Sequence, residues 1–534
     1  MLFNSYIFIF LFLPVVYLVW RFIKGRFDGH VAISFLALAS LVFYGWSSTW
    51  FLAIFMGSFT VNALCIALLS RDWPRHLRLA VAAFGIVFNL AVLGYFKYEN
   101  FFLYSFTSPD GQDFSLYKAT LPIGISFYTF QQIAYVADSY RRATGGYSFV
   151  KHLLFISFFP QLIAGPIVHH AEMMPQFDRD RPARRNLNLA IGLGIFSIGL
   201  FKKTFIADGI SVWADPAFDQ AATGAVLTAS QAWIGTLAYS FQLYFDFSAY
   251  SDMAIGLARM FGIVLPLNFN SPYKSRSIVE FWRRWHITLS RFLRDYCYIP
   301  LGGNRHGFLR RYGNVIVVMA LGGLWHGAGW TFVLWGLLHG VFIVVNHAWR
   351  GLLRLLGIER VARQAWYGVA AWFVTFVAVI TAWVPFRAAD IGTAASMLRS
   401  MYGLQAPPDP PGGMAAPDTI AYFLLQFRNG MAGLYDLAAT FFSPAVYSAA
   451  ILNRNIGYDM GLPALFLCLV ICLFLPNTAE LFHRYRPCLW PPGAAPARFR
   501  GIRLTPVWAL SLALLMAVAI LNLPRVSPFL YFQF

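Results

Sequence analysis

Apolar runs about as long as a bilayer is thick recur along the chain, separated by short polar breaks, and this pattern predicts membrane-crossing helices. The runs fall at Ser5–Trp20, Val31–Trp46, Phe51–Ser70, Leu79–Phe96, Leu121–Ala137, Leu187–Phe201, Val315–Trp330, Thr331–Trp349, Ala370–Pro385, Leu462–Leu475 and Pro506–Leu521. His152–Val168 and Trp233–Phe261 are interrupted by Pro, Gly or charge and predict re-entrant or tilted segments. The expectation is an all-α polytopic protein with about ten to thirteen inserted helices, forming a single membrane domain over residues 1–534.

The breaks carry a bias of sign. Arg21, Lys24 and Arg26 follow the first run; Arg71, Arg75 and Arg78 follow the third; Arg141, Arg142 and Lys151 follow the fifth. No basic residue lies between Trp46 and Phe51. Because cytoplasmic loops collect the basic excess, the N-terminus is expected outside, and so is the acidic loop Tyr98–Ala119. Composition agrees: 58% hydrophobic and 12% charged residues leave too little polar surface for a soluble globule. The formal charge of +18 reads as this topological bias and not as nucleic-acid binding, although a basic inner face attracts anionic lipid or a polyanionic donor. The first run has no preceding basic residue and no small-residue cleavage site, so it reads as a retained anchor. Five scattered cysteines give neither a disulfide framework nor a zinc spacing, and no metal site is expected.

The basic stretch His169–Asn186 reads as a solvated cytoplasmic loop. Ala406–Gly413, APPDPPGG, opens Leu404–Asn455, a loop or insertion of unknown role in which Tyr422–Phe442 would be helical and lie at the interface.

Unusual residues concentrate in Asp246–Leu338. Asp246, Asp252 and Arg259 sit in an apolar helix and read first as buried polar groups that satisfy one another and fix packing. Taking Phe281–Asp295 as one ideal helix sets Arg283, His286, Ser290 and Arg294 within an arc of about 80°. That face offers a base, a hydroxyl and two cations. Planar guanidinium forks at Arg283 and Arg294 suit a phosphorylated donor, while Arg284 and Arg291 are as well read as lipid-phosphate contacts. In LGGLWHGAGWTFVLWGLLHG, glycines flank His326 and let backbones or a ligand approach closely, suggesting a cleft. His326 is therefore the candidate proton acceptor, since an ordinary histidine pKa near 6.5 suits deprotonation of an attacking hydroxyl. His339, among larger residues, reads as a core histidine.

Phrases in order along nearly the whole chain carry a family resemblance: LPIGISFYTFQQIAYVADSYR, FFPQLIAGPIVHH, FDFSAYSDMAIGLARMFGI, NFNSPYKSRSIVEFWRRWHITLSRFLRDYCYIPLGGNR and LGGLWHGAGWTFVLWGLLHG. The chain resembles the membrane-bound O-acyltransferases, in their alginate O-acetylation branch; only Leu404–Asn455 finds no match. The resemblance implies an irregular helical fold with a tunnel through the bilayer, His326 as catalytic histidine and His286 as its second motif histidine. It also implies acetyl-CoA as cytosolic donor and an exported polysaccharide as final acceptor, reached through a periplasmic SGNH-type esterase partner within a polysaccharide-synthesis complex, in the bacterial inner membrane. On that basis His326 would act as general base while His286 orients the acyl carbonyl or stabilises the oxyanion. A covalent intermediate on Ser290 or Cys297 is the competing scheme. The rival enzyme resembles the D-alanyl transfer proteins of teichoic acid synthesis, with a carrier-protein donor. A transporter or a scaffold subunit is the alternative of another class, and the two similar halves a transporter predicts are not found.

Overall fold

The computed structural model describes residues 1–107, 121–144, 146–163, 165–178, 184–405, 461–491, 501–525 and 530. Most of Leu404–Asn455, including the helix expected at Tyr422–Phe442, and much of the acidic loop expected outside fall beyond the described residues.

Those residues form helices joined by turns, and their one β-bridge pairs Pro266 with Leu489. An N-terminal group comprises α1 (Leu13–Arg26), α2 (Gly29–Gly45), α3 (Thr49–Leu69), α4 (Arg75–Leu93), α5 (Glu99–Thr107) and α6 (Ile125–Tyr140). Short α7 (Phe149–Ser157), α8 (Phe159–Leu162) and α9 (His170–Met173) lead to α10 (Arg185–Phe201), α11 (Asp208–Ala222) and α12 (Ala229–Met260). Then come α13 (Ile278–Trp282), α14 (Ile287–Leu293), the hairpin of α15 (Gly307–His326) and α16 (Trp330–Leu355), α17 (Ala365–Arg387) and α18 (Ile391–Met401). Apolar helices Gly461–Phe474 and Pro506–Leu521 follow.

Six of these helical stretches are long and apolar enough to cross a membrane, and Gly29–Gly45, Gly461–Phe474 and Pro506–Leu521 are shorter apolar helices. Their exposed faces carry Leu, Phe, Val and Trp side chains such as Leu18, Phe84, Val87, Val374 and Leu514, as a lipid-solvated surface requires. The Met1 ammonium donates to Ser47 Oγ at 2.9 Å. The N-terminus and the turn before α3 thus share one face, as two successive crossings demand.

α12 is the axis of the molecule. The interrupted stretch Trp233–Phe261 is not re-entrant but part of one 32-residue helix, capped by reciprocal Thr228 and Gln231 bonds. From Ala232 to Met260 every residue except Trp233 and Leu237 is buried. Close approach to α10 depends on small residues: a Cβ on Gly256 would lie 2.6 Å from the Gly192 carbonyl oxygen.

The two carboxylates of α12 are paired, but not with Arg259, which donates to the Tyr485 carbonyl at 3.2 Å. Seven residues separate Asp252 from Arg259 by about 10 Å of helix rise, too far for contact. Asp246 instead takes Lys203 Nζ at 2.8 Å, and Lys203 also meets Asp208 at 2.6 Å. Asp252 takes Lys202 Nζ at 2.8 Å and the Thr478 hydroxyl at 2.6 Å. Both lysines come from the wide turn Lys202–Ala207 between α10 and α11. The Leu530 N–H donates to Asp246 Oδ2 at 3.1 Å, so the chain returns to this buried cluster near its end.

Candidate active site

The stretch expected as one helix over Phe281–Asp295 is two helices broken at His286, which adopts a left-handed backbone with φ 41° and ψ 54°. A non-glycine residue there costs about 1–2 kcal/mol, so the break must be held from outside. An extended strap supplies the hold. The Ile287 N–H donates to the Asn268 carbonyl at 3.0 Å and the Asn270 N–H donates to the Arg284 carbonyl at 2.9 Å. Asn268 Oδ1 then receives His286 Nδ1 at 3.2 Å, the Thr288 N–H at 3.3 Å and the Thr288 hydroxyl at 2.9 Å. Since an amide oxygen only accepts, these bonds assign the His286 proton to Nδ1 and leave Nε2 as a lone pair. That nitrogen is buried with no hydrogen-bond partner among the described residues.

His326 is reached differently. α15 ends on it because Gly327 and Gly329 are extended before α16 begins, so the apolar run expected to reach Trp330 is divided at the histidine. Lys97 Nζ donates to the carbonyls of Trp325 and His326 at 2.6 and 2.9 Å, and the Tyr98 hydroxyl donates to that of Leu324 at 2.8 Å. The orphan carbonyls of the helix C-terminus are thus capped by the lysine amino group and a tyrosine hydroxyl.

The two histidine rings lie edge to face, their centroids 6.2 Å apart. Trp335 and Phe386 stand edge-on to His326 at 5.1 and 5.2 Å, and Phe247 stands edge-on to His286 at 4.8 Å. Exposures of 0% and 3% seal both imidazoles from bulk solvent. The glycines around His326 serve backbone approach: a Cβ on Gly323 would overlap the Phe332 carbonyl, and one on Gly336 would overlap that of Met319.

Depth follows from chain length. From Arg75 to Lys97 the helical path rises about 30 Å, as does α15 from Gly307 to His326. His326 is thus about the thickness of a bilayer core along the helices from the basic α3–α4 turn and from the start of α15.

The cations expected on the His286 face are dispersed by the break. Arg283 is exposed at the end of α13, and Arg294 forms two bonds to its neighbour Asp295, at 2.6 and 3.0 Å, in an exposed position. Ser290 sits one turn beyond His286, its N–H bonded to the His286 carbonyl at 3.0 Å and its hydroxyl buried without a partner among the described residues. Arg284 pairs with Glu280, and Arg291 forms a two-pronged pair with Glu172. His339 is a core histidine, accepting the Trp282 indole N–H at 3.3 Å.

At the start of the stretch expected as a solvated loop, His170 is instead buried and His169 half-buried. Asp138 Oδ2, just past the Leu121–Ala137 run, receives His169 Nε2 at 2.8 Å, His170 Nε2 at 3.1 Å and the Tyr296 hydroxyl at 2.6 Å. Burial alone would raise this carboxyl, but the three donors outweigh it and hold its pKa well below the usual range. Two histidines and a carboxylate converge here with their ligand atoms within 4.8 Å of one another, a spacing that a metal ion also uses. However, His169 Nδ1 accepts the Ala171 N–H at 3.3 Å, which places the neutral ring's proton on Nε2 and makes that nitrogen a donor to Asp138. The cluster is a hydrogen-bonded clamp joining α6 and α9 to the turn after α14. Lys97, Asn268 and Asp138 were not singled out from sequence. Lys97 alone carried a signal, as a lysine at the end of a membrane run.

A model of the membrane-bound O-acyltransferase family matches residues 81–382, which include both histidines, Lys97 and Asn268. A peptidoglycan O-acetyltransferase of Helicobacter pylori is 44% identical over 431 residues, 76% of this chain and 80% of that protein. A probable alginate O-acetylase of Pseudomonas aeruginosa is 42% identical over 411 residues, 75% of each. A teichoic acid D-alanyltransferase of Streptococcus thermophilus is 28% identical over 284 residues, 49% of this chain and 68% of that protein. The fold and the buried histidine pair thus belong to a multi-pass membrane acyltransferase. The chain is a member of the membrane-bound O-acyltransferase family.

Proposed function

We propose that this protein takes acetyl from cytoplasmic acetyl-CoA and delivers it across the bacterial inner membrane for O-acetylation of an exported polysaccharide, alginate or a similar exopolysaccharide, through a periplasmic SGNH-type partner. The observation that carries the reading is the buried pair of His286 and His326, their ring centroids 6.2 Å apart; with the basic α3–α4 turn at the cytoplasmic face, a donor from inside and an acceptor from outside would meet there. His326 removes the proton from the acceptor hydroxyl, whose oxygen attacks the thioester carbonyl carbon. The tetrahedral intermediate then expels the thiolate, which takes that proton back from His326 and leaves as free thiol. The Asn268 bond argues against His286 as oxyanion donor, because its Nε2 carries a lone pair and no proton to donate. The acceptor hydroxyl belongs to the partner's serine or to the polymer itself.

Two observations favour neighbouring readings. The peptidoglycan O-acetyltransferase relative, at 44% identity, makes a peptidoglycan acceptor the second reading for the polymer. The D-alanyltransferase relative keeps a carrier-protein thioester as the rival donor. Release of free CoA from acetyl-CoA by the purified protein tests the main reading. Loss of about 10³-fold or more in His326→Ala is expected, whereas turnover only with an acylated carrier protein would replace acetyl-CoA by that donor.

A further inference from the structure

A cleft of about 340 Å³ opens between Arg276–Glu280, the last turns of α16 from Asn346 to Arg354, and Tyr367–Ala371 at the start of α17. Its basic surroundings, with Arg350, Arg354, Arg360 and Arg363 between two apolar helices, set it at the cytoplasmic face. The rim carboxylates are already matched: Glu280 with Arg284 at 2.9 Å and Glu359 with Arg354 at 3.3 Å. Arg276 and Arg350 have no carboxylate within 4.0 Å among the described residues. The Arg276 guanidinium lies across Gly368, where a Cβ would stand 3.2 Å from it, and Arg350 donates to Ser277 Oγ at 3.4 Å. The Trp349 indole is held by its N–H bond to the Tyr367 oxygen at 2.8 Å. Asn346 Oδ1 is buried with no hydrogen-bond partner among the described residues.

We infer that this cleft holds the 3′-phosphorylated ADP end of coenzyme A, an inference that rests on the acetyl-CoA reading above. Two guanidinium forks without carboxylate partners match phosphate oxygens. A pinned indole offers a stacking face for a purine, and an orphaned amide oxygen is the acceptor an exocyclic amine fills. A lipid headgroup would use the cations but leave the indole and the amide without a role. Reach agrees as well. Asn346 lies 11 residues along α16 from Trp335, about 16 Å, and the Trp335 ring packs 5.1 Å from that of His326. The pantetheine arm spans about 13 bonds, roughly 16 Å at about 3.8 Å per three bonds.

The test uses the full chain in phosphatidylcholine nanodiscs. Calorimetric binding of adenosine 3′,5′-bisphosphate should be detectable in wild type and weakened about tenfold or more by Arg276→Gln, Arg350→Gln and Asn346→Leu. In turnover, the same changes should raise KM for acetyl-CoA by a similar factor and move KM for S-acetylpantetheine, which has no nucleotide, less than about twofold. Wild-type affinity for the bisphosphate in all three variants overturns the inference, as does an equal KM rise for both donors. Binding of phosphatidylglycerol that the arginine variants lose, with no bisphosphate binding, overturns it in favour of a lipid site. Should the bisphosphate bind as expected while acetyl-CoA supports no turnover even with the partner added, the donor reading fails and the nucleotide site stands.

Discussion

Removing the Asn268 side-chain acceptor while keeping its branched shape, as Asn268→Leu does, should cost both stability and catalysis, and the structure sets the scale. Three donors converge on Oδ1: His286 Nδ1, the Thr288 N–H and the Thr288 hydroxyl. Each neutral bond contributes about 0.5–1.5 kcal/mol net, so their loss costs about 2–4 kcal/mol before any repacking. These bonds also hold His286 in a backbone well that costs about 1–2 kcal/mol, so without them α13 and α14 are driven to straighten. The imidazole loses both its tautomer and its place, and CoA release should fall by about 10²-fold or more. Asn268→Asp keeps the acceptor and should restore turnover to within about tenfold. Thermal unfolding followed by size-exclusion fluorescence reports the first effect and CoA release the second. Equal activity in the Leu and Asp variants would refute the reasoning, because it would show that neither the tautomer nor the break depends on this amide.

Lys203→Met leaves Asp246 and Asp208 buried without their shared cation and should cost about 3–5 kcal/mol, measured as loss of folded protein on heating. Gly323→Ala puts a Cβ into the Phe332 carbonyl and should lower the melting temperature and disturb His326, whereas Gly313→Ala, with nothing within 4 Å of the new atom, should do neither. Asp138 has a folded pKa below its unfolded one, so its contribution is present at neutral pH and is lost as pH falls below about 4. Asp138→Asn should accordingly be less stable than wild type at pH 7, and the gap should narrow as pH drops from about 5 to 3; a gap of constant size would count against the carboxylate's role.

The legible and illegible parts of the molecule divide along a physical line. Membrane helices such as α3, α4 and α17 were readable because lipid demands a long apolar run and nothing else. His326 stood out as a candidate because an imidazole in such a run has few reasons to be there. The break at His286 was not. FWRRWHITL contains no Pro or Gly to announce it, and the bonds that replace the helical ones come from Asn268 and Asn270, more than a dozen residues earlier in an extended strap. The arc shared by Arg283, Ser290 and Arg294 therefore existed only on an ideal helix. The same limit applied to His169 and His170: a polar stretch reads as solvated until Asp138 and Tyr296, from two other elements, are seen to bury it. Local pattern reports what a residue needs from lipid or water. It does not report which distant donor outbids water, and at this site that donor decides the tautomer of one histidine and, through Lys97, the backbone of the other.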